Sequence, residues 1–341
     1  MKWLELLEFS VQSLWRRKLR SVLTLLGVMI GTASIVVMMS LGIGLNASYM
    51  EQLENSATLT RISVYSYGGY MGGESSSSEE AKLDKTAIES FAALEHVVCA
   101  SPVYEFSALA RAGKYEGYLN VMAMSYEMLL ASKLPVIKGA LPERGAALSF
   151  IVGSRSGYNF YDPGSNNYYY GEGEPPVDMY ETPVFVVFDM NAYYSAQSGQ
   201  GTAPKKYLME TSAVVGTADD SSWSEYDYNI YADLEAVENL FQKLFKKNPW
   251  PGQQTDSKGK AVWPMSYNTA YVLVDEVDNV SAVQQAISDM GYQASSDMEY
   301  LQSMQQQSRM IQYVLAGIGS VSLIVAAIGI ANTMLMSIFE R

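Results

Sequence analysis

The chain has one histidine, His96, and it stands three residues before the one cysteine, Cys99. Together they offer two ligands where a zinc site needs three or four. His96 formally admits a Ser-His-Asp triad, but no nucleophile-elbow pattern accompanies it. The acidic pairs Asp219-Asp220 and Asp275-Glu276 lack the spacing of a calcium loop and read as solvated turns. No G-x-x-x-x-G-K-[ST] phosphate loop occurs, so the chain does not hydrolyse ATP by that route. A single thiol cannot close an internal disulfide, and Cys99 reads as a small buried hydrophobe. The expectation is a non-enzymatic chain with no catalytic residue, no metal and no cofactor of its own.

The elements that carry these residues are framed by two uncharged apolar stretches, residues 21–50 and 310–339. About 20 apolar residues cross a hydrocarbon layer of ~30 Å, so each stretch is long enough to span once. The first is roughly twice the ~7–15 residues of a signal peptide's apolar core, which argues against cleavage. Lys2, Arg16, Arg17, Lys18 and Arg20 precede it against only Glu5 and Glu8, and this excess places the N-terminus in the cytoplasm. With two spans the chain returns inside at Arg341, and everything between lies outside the cytoplasmic membrane. That middle carries 17 basic and 33 acidic residues, a net charge of −16. Such a domain repels nucleic acid.

Neither stretch holds an ionisable residue, so no ion or proton path is marked. Small residues mark helix packing instead. Gly27 and Gly31 form a GxxxG pair in the first stretch. Gly317 and Gly329 belong to a broader small surface in the second, with Gly319, Ser322, Ala326, Ala327 and Ala331.

The fold expected is an α+β membrane protein: two transmembrane helices flanking a large extracytoplasmic domain. Residues 1–18 read as an amphipathic helix on the cytoplasmic face, 19–45 as the first span, 46–145 as the first part of an α/β lobe, and 146–232 as an inserted β-rich lobe. Residues 233–308 return to the α/β lobe and lead to the second span, 309–339, with 340–341 opening a cytoplasmic segment. Period-2 and period-3.6 patterns predict strands over 60–67, 97–103 (limited by Pro102), 118–124, 181–190, 208–216 and 270–274. They predict helices over 84–94 with Asp84 as N-cap, 125–132, 234–246 and 279–290, the last ended by Gly291. Residues 296–312 run without a breaker into the second span, a stiff connection. The segment 68–80 is a flexible loop by composition. The Tyr-rich stretches between 145 and 201 suit either a recognition surface or a solvated loop.

The end motifs carry a family resemblance. SLWRRKLRSVLTLLGVMIGTASIVVMMSLGIG, residues 13–44, resembles the first span of MacB-type ABC transporter permeases, and GIGSVSLIVAAIGIANTMLMSIFER, residues 317–341, is similar to their second. The middle matches in layout only. The resemblance implies a permease of four spans that works as a dimer with a cytoplasmic ABC ATP-binding subunit, where the ATP is bound. It also implies an extracytoplasmic adaptor protein, and movement of the outer domains for export or extraction of peptide, antibiotic or lipoprotein-like substrates. Glu340 and Arg341 match the start of the stretch that leads to the family's coupling segment. Because the sequence stops there, it is expected to be a fragment, a truncated gene or the front part of a split permease. The alternative of another class is an FtsX-like membrane-anchored regulator that senses or activates an extracellular partner.

Overall fold

The computed structural model describes residues 18–54, 59–66, 82–165, 167–168, 174–217, 224–246 and 248–339. The proposed helix at the N-terminus, Arg16, Arg17, the segment 68–80, Asp219-Asp220, Glu340 and Arg341 lie outside these residues.

An apolar run without proline satisfies its backbone polar groups most readily from within, as a helix. Lys18–Glu54 accordingly forms one helix, α1, which contains Lys18 and Arg20. The domain that follows is built, in order, from β1 (Arg61–Tyr65), α2 (Lys85–Ala92), β2 (Val97–Ala112), β3 (Tyr115–Met124), α3 (Tyr126–Ala131), β4 (Val136–Gly139), β5 (Phe150–Gly153), β6 (Phe160–Asp162) and β7 (Asn167–Tyr168). It continues with β8 (Val184–Val187), α4 (Met190–Gln197), β9 (Tyr207–Met209), β10 (Thr211–Val215), β11 (Ile230–Asp233), α5 (Leu234–Phe245), β12 (Thr269–Val274), α6 (Val280–Asp289) and β13 (Gln293–Ser296). Asp297–Phe339 is again a single helix, α7. Contacts divide the chain into two units, one pairing α1 with α7 from Tyr300 onward, the other comprising Leu53–Glu299.

Within Leu53–Glu299 the strands form one mixed sheet in the order β13-β1-β12-β2-β3-β11-β5-β10-β4. At one end, α2 and α6 press Ile88, Phe91, Val283 and Ile287 against Ile62, Val64 and Val272. Asp84 starts α2 by accepting a hydrogen bond from Ala87 N at 3.0 Å, which satisfies a donor the helix cannot use itself. Further along, α5 places Val237, Phe241 and Phe245 on a single stripe. That stripe closes a core with Phe106, Ala108, Val121, Val186 and Phe188. A third cluster joins Met128 and Leu129 of α3 to Ile151, Val215 and Tyr231. The strands from the 146–232 region are tied into this same sheet: β5 pairs with β10 and β11, and β8 pairs with β2.

Pro102 does not limit the second strand, as the sequence suggested: β2 runs 16 residues through it. Over residues 97–103 β2 has one neighbour, β12, and β3 joins only from Tyr104. A missing N–H is therefore tolerated on the open side of the strand.

Candidate functional site at the seam of the two long helices

Both long helices expose large apolar side chains that nothing among the described residues covers. Leu25, Val36 and Ile43 are 61%, 62% and 72% exposed in α1, and Val321 and Ile328 both 63% in α7. By length and composition, Leu25–Gly44 and Asp297–Asn332 of α7 are long and apolar enough to cross a membrane. Their hydroxyls do not compete for water: Thr32 Oγ1 donates to Val28 O at 2.9 Å, Ser34 Oγ to Ile30 O at 2.8 Å and Ser322 Oγ to Ile318 O at 2.9 Å.

What the helices do bury is a narrow seam of small residues. A Cβ on Gly27 would stand 3.0 Å from Ala326 Cβ and 3.2 Å from Ser322 O. One on Gly31 would stand 2.8 Å from Leu323 Cγ and 3.4 Å from Gly319 O. One on Gly319 would stand 3.3 Å from Ser34 Cβ, and the side chain of Gln312 lies against Gly42. As α1 advances from 27 to 42, its partner recedes from 326 to 312, so the pair is antiparallel. Backbone approach through glycine lets two helices meet by van der Waals contact, which in lipid would replace the missing hydrophobic drive for pairing. Gly317 has nothing within 4 Å of its would-be Cβ among the described residues, and Gly329 is half-buried in α7. The α7 side of the seam is thus Gly319, Ser322, Leu323 and Ala326. The signal for it was present, because steps of three and four from 319 return to one helix face whereas 317 points about 200° away.

In the unit Leu53–Glu299, His96 Nδ1 lies 3.0 Å from Asp275 Oδ2 and 3.0 Å from Asn279 Nδ2. The hydrogen bond to Asp275 raises the imidazole pKa, while those from Asn279 and then His96 lower that of Asp275. Cys99 points elsewhere, its thiol 4.0 Å from Met128 Sδ, and burial followed by Glu127 raises its pKa. Among the described residues no three His, Cys, Asp or Glu side chains are placed to hold a metal ion. A cleft of about 1080 Å³ opens beside β2 and β3, and its charged lining residues, Glu105 and Asp189, are both acidic.

Residues 21–164, which run from α1 through β6, match the family described as the MacB-like periplasmic core domain. In this stretch the chain is similar to the MacB-like ABC transporter permeases. Two relatives align along the chain nearly end to end. One is the pyoverdine export ATP-binding/permease protein PvdT of Pseudomonas savastanoi pv. phaseolicola, 25% identical over 99% of this chain and 45% of that protein. The other is the ABC transporter permease YtrF of Bacillus subtilis, 22% identical over 100% of this chain and 74% of that protein. The chain therefore spans less than half the length of PvdT. Among solved structures, the periplasmic region of MacB from Actinobacillus actinomycetemcomitans is similar at a TM-score of 0.43 and 10% identity, covering 74% of this chain and 96% of that one.

Proposed function

We propose that this chain is a permease subunit that couples ATP hydrolysis on a separate cytoplasmic ABC subunit to movement of its extracytoplasmic domain. In this reading α1 and α7 span the cytoplasmic membrane of a bacterium, with the N-terminus inside and Leu53–Glu299 outside. The match over residues 21–164 carries the reading, and it starts inside the first apolar helix rather than in the soluble domain. The antiparallel glycine seam supports it, since two helices locked at van der Waals distance transmit displacement without slipping. So does α7, one helix from Asp297 to Phe339.

A second copy of the chain would complete the working unit, and an extracytoplasmic adaptor would meet the outer domain. The cargo would be a peptide, antibiotic or lipoprotein-like molecule exported or extracted from the outer face of the membrane. The chain contributes no catalytic group in this scheme and binds no nucleotide.

The test is vanadate-sensitive ATPase activity in membranes that contain the chain and an ABC ATP-binding subunit. Activity that rises with the chain and falls again in a Gly31→Leu variant is the expected result. An outer domain that activates a secreted enzyme, with no ATPase bound to the chain at all, would sink the transport reading in favour of a regulator.

A further inference from the structure

Strand β2 loses a partner part-way along its length. On one side β3 pairs with it from Tyr104 onward; on the other, β12 reaches only to Val103 and β8 begins only at Leu109. Residues 104–108 therefore have a single neighbouring strand. Every second residue there turns its backbone N–H and C=O away from β3, and among the described residues no loop backbone pairs with them. The cleft of about 1080 Å³ opens at this gap. Glu105 and Ser107, opposite Met122 and Asn120, line it from the sheet. Asp189 follows β8 and caps α4 by accepting from Ala192 N at 2.8 Å. Residues 248–253 form another wall, where a Cβ on Gly252 would stand 3.1 Å from Glu105 O.

The hydrogen-bonding groups of this cleft are mostly neutral. Among the described residues that line it there is no Lys, Arg or His, and with Glu105 and Asp189 present an anion is repelled. Five lining residues are asparagines: Asn120, Asn191, Asn229, Asn248 and Asn268. Each side-chain amide offers two donors and an acceptor oxygen in one plane. Ser107 Oγ donates to Asn120 Oδ1 at 3.0 Å, which leaves Asn120 Nδ2 to donate elsewhere. Asn229, one residue before β11, comes level with Asn120, since Ile230 lies opposite Val121. Its Nδ2 donates to Glu225 O at 2.9 Å, which leaves its Oδ1 as an acceptor. Apolar surface comes from Met122, Phe188 and Trp250.

We propose that this cleft binds a neutral oligosaccharide. A hydroxyl both donates and accepts, as a side-chain amide does, whereas a carboxylate only accepts. Neighbouring sugar hydroxyls therefore satisfy a mixed set of Asn, Ser and Glu side chains, and the C–H faces of the rings meet Met122, Phe188 and Trp250. A cation would suit Glu105 and Asp189 but would leave the asparagine N–H donors without acceptors, which costs binding energy once water is displaced. At about 1080 Å³ the cleft stands at the top of the ~300–1,000 Å³ range of small-molecule sites, room for a short chain of rings rather than one. The site lies wholly within Leu53–Glu299 and goes beyond the transport reading, on which it does not depend.

The experiment is isothermal titration of the full chain in a polyoxyethylene detergent, whose headgroup is not a sugar. The probes are maltotriose, cellotriose and tri-N-acetylchitotriose, with trilysine as the charged comparison. The expected result is a Kd below ~1 mM for at least one trisaccharide, unchanged when sodium chloride is raised about tenfold, because an uncharged ligand has no ion pair to screen. Asn120→Asp keeps the acceptor for Ser107 and removes both amide donors, so it preserves the fold and weakens binding about fivefold to tenfold. Glu105→Gln changes an exposed residue at constant size and weakens the same trisaccharide. Three results overturn the proposal: no trisaccharide bound, trisaccharide binding that survives both substitutions unchanged, or salt-sensitive binding of trilysine tighter than that of any trisaccharide, which would make the cleft a site for cationic peptides.

Discussion

Gly31 of α1 and Gly319 of α7 meet backbone to backbone: a Cβ on Gly31 would stand 3.4 Å from the Gly319 carbonyl oxygen, and one on Gly319 3.5 Å from that of Gly31. Their separation leaves room for hydrogen only. Gly31→Leu must push the helices apart or distort Leu323, at about 1–3 kcal/mol by analogy with overpacked cores. Gly317→Leu, with open space around it, costs nothing at this seam. Cysteines at Ser34 and Gly319, in a background with Cys99 replaced, should oxidise to an intrachain disulfide. The expected outcome is high cross-link yield with Gly317→Leu and a loss of yield with Gly31→Leu. Equal yields would show that the seam does not hold the helices.

Arg61, in the first strand after α1, makes a two-pronged ion pair with Glu225 at 2.7 and 2.8 Å, and its guanidinium lies 4.6 Å over the ring of Tyr271. The Arg61 side chain is 13% exposed and that of Glu225 31%. Removing one partner strands the other charge. Arg61→Met should therefore destabilise the Leu53–Glu299 unit by about 3 kcal/mol, the low end for a buried pair because Glu225 retains some water. Arg61→Met combined with Glu225→Leu should recover part of that loss. Urea midpoints of the four proteins in a double-mutant cycle give the coupling, and strictly additive losses would contradict it.

What the sequence made legible is local. The stripe Val237, Phe241 and Phe245 of α5, the Asp84 cap and the alternation of β12 all follow from spacings within a few residues. Four residues also return a helix to one face, so Gly27 and Gly31 stand out as a pair. The rest depends on partners far away in the chain. Pro102 sits inside β2 only because β3 joins two residues later. Arg61 finds Glu225 across 164 positions, a link no periodicity encodes. Nothing in β11 itself shows that it lies parallel to β3, with Asp233 opposite Met124. Parallel pairing of strands with an intervening insertion leaves no signature in either strand alone.

His96, the single histidine, gives a clean proton titration. Its pKa is raised chiefly by the hydrogen bond to Asp275. A raised folded value stabilises the fold fully below the unfolded pKa of about 6.5 and loses that contribution as pH climbs through the folded value. Asp275 acts oppositely, since its lowered value stabilises above about 3.9 and is lost on further acidification. Carbon-bound imidazole protons followed by NMR should thus show a midpoint above about 6.5 that drops in Asp275→Asn. A midpoint at or below the ordinary histidine value would remove the pair from consideration.

Asp227 is fully buried and surrounded by donors: Thr217 N and Ser154 Oγ reach its Oδ1 at 2.7 and 3.1 Å, and Ser224 N reaches Oδ2 at 2.8 Å. The donors at these distances are a hydroxyl and two backbone N–H groups, all neutral dipoles. Asp227→Asn preserves shape but replaces one acceptor with an amide whose hydrogens face a backbone N–H, whichever way the group is turned. Such a mismatch leaves a buried donor without a partner, at about 1–3 kcal/mol. The urea midpoint should fall at unchanged slope, because the surface exposed on unfolding is the same. If the asparagine variant unfolds at the wild-type midpoint, the bonds from Thr217 and Ser224 are not what fixes the end of β10 beside the start of β11.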